Sequence, residues 1–231
     1  MVAGRRGGSS DNAPGTRVRP GTEAGTRQRL GDFYLYPLKD RTTIASGQTK
    51  QVGFLDVQGA AARKAYEARL GWLETVDTPR SVSTMLKFAN SRSAGLGDQL
   101  PEGMVRVYLR DQRGAPQFIG ESAIPHTPMG SEIALRTGDA FDVKLRVVTE
   151  KRERVGDSRW RTTMRYTLSN ARAEPVTVDL VQQGFDTGYR DVRILEQSLP
   201  GERPSVDAVQ WRVPVPAQGE SVVTATFETR F

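Results

Sequence analysis

Apolar and polar residues alternate with a period of two through most of the chain beyond Leu30. Val82, Thr84, Leu86 and Phe88 face one way and Ser83, Met85 and Lys87 the other. Val105, Val107 and Leu109 alternate with Arg106, Tyr108 and Arg110, and Phe141, Val143, Leu145 and Val147 with Asp142, Lys144 and Arg146. One apolar face opposite one polar face is the signature of antiparallel strands that cover a core on one side. The run from Phe141 continues through a charged ribbon to Gly156-Asp157, and Trp160 to Asn170 returns from it, which predicts a long hairpin. Val176, Val178 and Leu180 follow, then Val209, Trp211, Val213 and Val215, and finally Val223, Ala225 and Phe227. Turn signals separate these runs at Ala173-Glu174-Pro175, at Pro200-Gly201 and over 216–219.

Upstream, Phe33 to Tyr36 reads as a short strand ended by Pro37. Thr42 to Ala45 turns through Ser46-Gly47 into Gln48 to Val57. Residues 59–74 fit two periods: Ala62, Tyr66, Leu70 and Leu73 make a helical stripe, whereas Tyr66, Ala68, Leu70 and Trp72 alternate. The strands that follow favour the second. The chain is therefore expected to be all-β, with two antiparallel β lobes. Residues 30–140 form the first. Residues 141–231, with about six or seven strands in roughly 90 residues, form an immunoglobulin-like or fibronectin-like β-sandwich.

Composition changes this picture mainly at one end. Met1 to Arg29 is nearly all Gly, Arg, Ser, Thr, Pro and Ala, too little apolar surface to offset its ordering entropy, so it is expected to be a disordered basic tail. Six arginines against two acids place +4 of the net +6 in that tail, leaving +2 for the rest. The remainder is close to neutral and carries no RNA-binding aromatic motif or zinc-ligand set, so no nucleic-acid partner is expected. Cysteine is absent, which excludes disulfides, thiol catalysis and Cys-ligated metals. No apolar run approaches the ~20 residues of a membrane helix, and no apolar segment follows Arg5-Arg6 as a secretory signal requires.

The candidate chemistry gathers between Leu86 and Val143. His126, the only histidine, could act as a base beside Glu121, Glu132, Asp139 or Asp142. Those carboxylates could also serve glycoside hydrolysis, and Glu132, Asp139 and Asp142 could offer oxygens to a cation. Structural roles explain the same residues: a turn histidine whose ring caps a loop carbonyl, Asp139 bonding local backbone, and Asp142 on the polar face of a strand. No nucleophile motif accompanies them, and these structural roles are the expected outcome. Gly95, Gly97 and Gly103 lack the helix that a phosphate-cradling loop needs behind it. They read as positions of positive φ or close backbone approach, with Asn90 bonding the loop's backbone.

Two further features have rival readings. The ribbon Lys151 to Arg154, with Arg159 and Arg161, is a partner surface or a charged tip that keeps an exposed edge soluble. Val223, Ala225, Phe227 and Phe231 alternate to a terminal Phe, as in the last strand of an outer-membrane barrel. Pro214, Pro216 and the outward Arg and Lys favour a sandwich edge instead.

Several motifs together carry a family resemblance: Tyr34-Leu-Tyr-Pro37, Gln48-Thr-Lys-Gln51, Phe88-Ala-Asn90, Leu100-Pro-Glu-Gly-Met-Val-Arg-Val-Tyr108, Phe118-Ile-Gly-Glu121, His126-Thr-Pro128 and Gly138-Asp-Ala-Phe-Asp-Val143. Over roughly 30–231 the chain resembles the bacterial domain of unknown function four-one-three-nine, the C-terminal domain of mucoidy-inhibitor-A-like proteins. The resemblance implies a β-rich, envelope-associated (periplasmic) domain, ordinarily preceded by a signal peptide and another domain, and it implies no catalytic residues. Those preceding parts are missing here. Either the chain is truncated or its compartment has changed to the cytoplasm, and truncation would favour self-association through an uncovered edge. The function expected is a non-enzymatic interaction or structural module with a protein or glycan partner of the envelope and no cofactor. The alternative is a glycan-directed hydrolase or a cation-binding domain centred on residues 121–142.

Overall fold

The computed structural model describes residues 28–30, 33–35, 43–49, 59–186 and 191–230. Most of the expected tail lies outside the described residues, but its last two do not. Gln28 and Arg29 belong to β1 (Gln28–Leu30), which pairs antiparallel with β2 (Phe33–Leu35), so ladder hydrogen bonds order a segment that has little to bury. The turn at Ser46-Gly47 forms, with the Gln48 amide donating to the Ala45 carbonyl at 3.1 Å. Residues 43–45 are not a strand, and 50–58 lie outside the described residues.

The protein is all-β: among the described residues the only helical piece is one 3₁₀ turn, Arg92–Ala94. Two compact units divide the chain. The smaller comprises Met1–Ala61, Ala89–Leu100 and Thr127–Ser131, the larger Ala62–Phe88, Pro101–His126 and Glu132–Phe231.

In the smaller unit the loop after the long strand is held by Asn90, as its position predicts. The side chain is fully buried. Its amide nitrogen donates to the carbonyls of Asp98 (2.5 Å), Pro128 (3.1 Å) and Thr127 (3.3 Å), and its oxygen accepts from the Gly97 amide (3.2 Å). Gly95 and Gly97 have φ of +85° and +105°, the left-handed region expected of them, whereas Gly103 has neither positive φ nor a crowded neighbour and opens a strand.

The larger unit contains β3 (Ala62–Leu70), β4 (Val76–Ala89), β5 (Gly103–Arg110), β6 (Pro116–Ile124), β7 (Glu132–Gly156), β8 (Arg159–Asn170), β9 (Val176–Gln183), β10 (Asp191–Gln197), β11 (Glu202–Ser205), β12 (Ala208–Val215) and β13 (Gly219–Arg230). Nine form one sheet in the order β10-β13-β8-β7-β4-β3-β9-β12-β11, and β5 and β6 form a separate hairpin. The sheet is mixed, because β3 and β9 run parallel. Its two arms face each other across one core. Tyr166 of β8 meets Trp211 of β12 with ring centroids 5.6 Å apart, and Trp72, Phe185 and Phe227 form an edge-to-face cluster at 5.1–5.8 Å. Such aromatic pairs contribute beyond their buried area. This packing is compatible with the sandwich read from the sequence. The expected boundary between 140 and 141, however, falls inside β7, and β3 and β4 join the same sheet as the C-terminal strands.

The reason lies in β7 itself. Its buried residues are Ile133 and Leu135, then Ala140, then Val143, Leu145 and Val147. The steps of five and three residues shift the alternation twice without ending the strand, the first at Gly138 with φ of +141°. Thr137-Gly138-Asp139 reads as a turn in the sequence but is an irregularity within a strand. The second shift turns Phe141 outward, 89% exposed, although the period placed it in the core beside Val143.

Candidate functional site

The candidate residues between 121 and 142 do not converge. His126 has a side chain 76% exposed. Its Nδ1 accepts from the Glu102 amide at 3.3 Å, so the ring caps a backbone donor rather than a carbonyl, and the neutral form carries its proton on Nε2. Glu102 Oε2 stands 3.9 Å from that nitrogen. Glu121 pairs with Arg106 at 3.1 Å across the β5–β6 hairpin, and Glu132 with Arg63 at 3.4 Å. Asp139 pairs with Arg136 at 2.7 Å, so it bonds a side chain instead of local backbone, and Asp142 with Arg172 at 3.7 Å. Each carboxylate thus faces its own arginine. Among the described residues no group of three His, Asp or Glu could hold a metal ion, so Glu132, Asp139 and Asp142 do not form one. The charged ribbon is partnered within the β7–β8 hairpin: Lys151 bonds Glu153 at 2.6 Å and holds that carboxyl below its ordinary range, and Arg152 lies 5.1 Å over the Trp160 ring.

What the fold does assemble lies on β3, β9 and β12. The parallel register sets Glu67 beside Asp179, and the antiparallel one sets Asp179 beside Arg212. Lys87, reaching from β4, bonds Asp179 at 2.8 Å and stands 3.6 Å from Glu67, and Arg69 bonds Glu67 at 2.9 Å. The carboxylate of Asp179 is only 10% exposed and has an ammonium to offset its desolvation. At one end of this row Asp179 and Arg212 line a cleft of about 380 Å³ whose wall also includes Arg63, Lys64, Tyr66 and Arg172. Four cations stand there against Glu174 and the already paired Asp179.

No protein-family model matches the chain, and no curated protein matches it. The chemistry is read from the cleft alone.

The three guanidiniums are loosely held. Their ion pairs run to 3.4 Å for Arg63, 3.7 Å for Arg172 and 4.0 Å for Arg212, with the side chains 57%, 36% and 67% exposed. Exposed pairs of this kind contribute about 0–1 kcal/mol, so an incoming anion can exchange for the present partner at little cost. Lys64 stands 5.1 Å over the face of Tyr66, a contact that leaves its ammonium hydrogens to solvent. Three planar forks and one point charge suit carboxylate or phosphate groups on an extended partner. Sequence reading missed this row because Lys87 and Asp179 lie 92 residues apart and meet only through the parallel β3–β9 pairing. Each looked like one polar position on one strand.

Among the described residues no helix is long and apolar enough to cross a membrane.

Proposed function

We propose that this chain is a non-catalytic interaction module of the bacterial cell envelope that receives an acidic partner in the cleft between β3, β9 and β12. The observation that carries it is the four cations, three of them in long, exchangeable ion pairs, with Arg63 and Lys64 on β3, Arg212 on β12 and Arg172 in the turn between β8 and β9. The motifs shared with domain four-one-three-nine support a periplasmic or envelope setting, and a binding role suits a family whose resemblance supplies no catalytic set. Loops and sheet faces on a rigid β scaffold commonly carry recognition.

The test is binding of labelled poly-L-glutamate at low salt, followed by fluorescence anisotropy. Arg63→Gln, Lys64→Gln and Arg212→Gln together should weaken it roughly tenfold or more, about 0.5 kcal/mol or more for each contact. Lys151→Gln, Arg152→Gln and Arg154→Gln remove the same charge from the hairpin ribbon and should change it far less. Equal losses in the two triple variants would reduce the effect to net charge and end the proposal.

A further inference from the structure

A second hollow adjoins the cleft. It measures about 570 Å³ and includes Phe141, Asp142, Lys144, Gln218 and Glu220 in its wall. The two hollows meet at the 171–175 turn: Ala171 lines one, Arg172 the other, and Arg172 reaches back 3.7 Å to Asp142. The turn is pinned on both sides, by the Ala171 amide on the Asp142 carbonyl (2.8 Å) and the Gln218 amide on the Arg172 carbonyl (3.0 Å). Asn170 fixes it further, donating to the carbonyls of Glu174 and Pro216 at 2.9 Å each. One continuous, preformed surface therefore runs from an aromatic platform to a cationic cleft.

Phe141 is the unusual part. Strand alternation would bury it, yet two shifts in β7 hold its ring in water at 89% exposure. Flanked by an ammonium, an amide and two carboxylates, the ring is suited to the C–H-rich face of a pyranose. The hydrogens on that face are attracted to the negative ring face, while the polar neighbours meet hydroxyls.

We infer that the partner is an acidic polysaccharide laid across the 171–175 turn, one ring stacked on Phe141 and its carboxylates in the arginine-lined cleft. This rests on the cleft being the binding site, and it names the class of partner.

The experiment compares polygalacturonate, poly-L-glutamate and neutral dextran by isothermal titration calorimetry on the full chain, with Phe141→Ala alongside. Polygalacturonate should bind at least tenfold more tightly than dextran and more tightly than poly-L-glutamate of equal charge. Phe141→Ala should lose roughly tenfold for polygalacturonate and nothing for poly-L-glutamate, with its thermal midpoint unchanged because the ring is already in water. Equal binding of the two acidic polymers, with Phe141→Ala neutral, would overturn the glycan and leave the acidic-partner reading standing. Dextran binding as well as polygalacturonate would overturn the need for acid groups. Loss of all binding to both acidic polymers would remove the underlying reading as well.

Discussion

At the scale of single residues, Asn90 and Phe141 mark what the sequence reveals and what it conceals. Asn90 is legible because a polar residue closing an apolar strand before a glycine-rich loop has few other uses than bonding that loop. Its buried amide meets three carbonyls and one amide hydrogen. Asn90→Ala removes four hydrogen bonds from a buried loop and should lower stability by about 3 kcal/mol, at roughly 0.5–1.5 for each bond lost. Asn90→Asp should cost at least as much, because a carboxylate would face carbonyls where an NH₂ now donates. Urea unfolding of both variants checks this; midpoints close to wild type would mean the loop holds itself. Phe141 was misread for the opposite reason. Its direction is set by two parity shifts several residues wide, and period-2 counting carries the frame straight through them.

Among elements, strands were legible where alternation ran clean and invisible where only pairing makes them. Residues 62–70 satisfied both helical and strand periods, and the strand reading held because both edges of β3 are paired. The edge strands β10 and β11 were missed. Of its apolar residues β10 half-buries Val192 and Ile194 before a bulge at Leu195, and all four residues of β11, including Pro204, are exposed. Edge strands of this kind carry little apolar period to read. The β5–β6 hairpin shows local chemistry at its clearest. Asp111 accepts from the Arg113 and Ala115 amides at 2.9 Å and from Gln117 at 3.0 Å, and these bonds, that to Ala115 foremost, hold its carboxyl below the ordinary value. The hairpin's approach to β7 depends on Gly120. A Cβ there would stand 2.6 Å from the Thr137 carbonyl oxygen and 2.9 Å from its Cα. Backbone cannot rotate away as a side chain can, so Gly120→Ala should cost about 1–3 kcal/mol and free the hairpin. Limited proteolysis should then cut within 103–124 first while far-UV circular dichroism keeps its sheet signal. A variant as resistant as wild type would show that β6 does not rest on β7 as closely as this.

For the whole molecule, the all-β class followed from the period, but the joining of nine strands into one sheet did not. The parallel β3–β9 ladder joins segments far apart in sequence, and no local pattern encodes that pairing. A buried polar relay spans the core. The Tyr166 hydroxyl on β8 donates to Gln182 Oε1 on β9 at 3.0 Å, and Gln182 Nε2 donates to the carbonyls of Gly71 at 2.5 Å and Gln183 at 2.9 Å. Both side chains are fully buried, and burial pushes the Tyr166 phenol well above its ordinary value of 10.0. The folded state therefore keeps a proton that the unfolded chain releases near pH 10. Stability from this group is fully present below that pH and falls as pH rises beyond it, by about 1.4 kcal/mol per unit. Tyr166→Phe removes the titrating group and strands Gln182 Oε1, which costs about 1–3 kcal/mol at neutral pH. The variant should therefore melt below wild type at pH 7, and the gap should narrow steadily between about pH 10 and 11.5 as only the wild type carries the alkaline penalty. Thermal midpoints measured across that range decide it: parallel curves would mean that Tyr166 ionises as readily folded as unfolded, and that the relay between β8 and β9 is open to water.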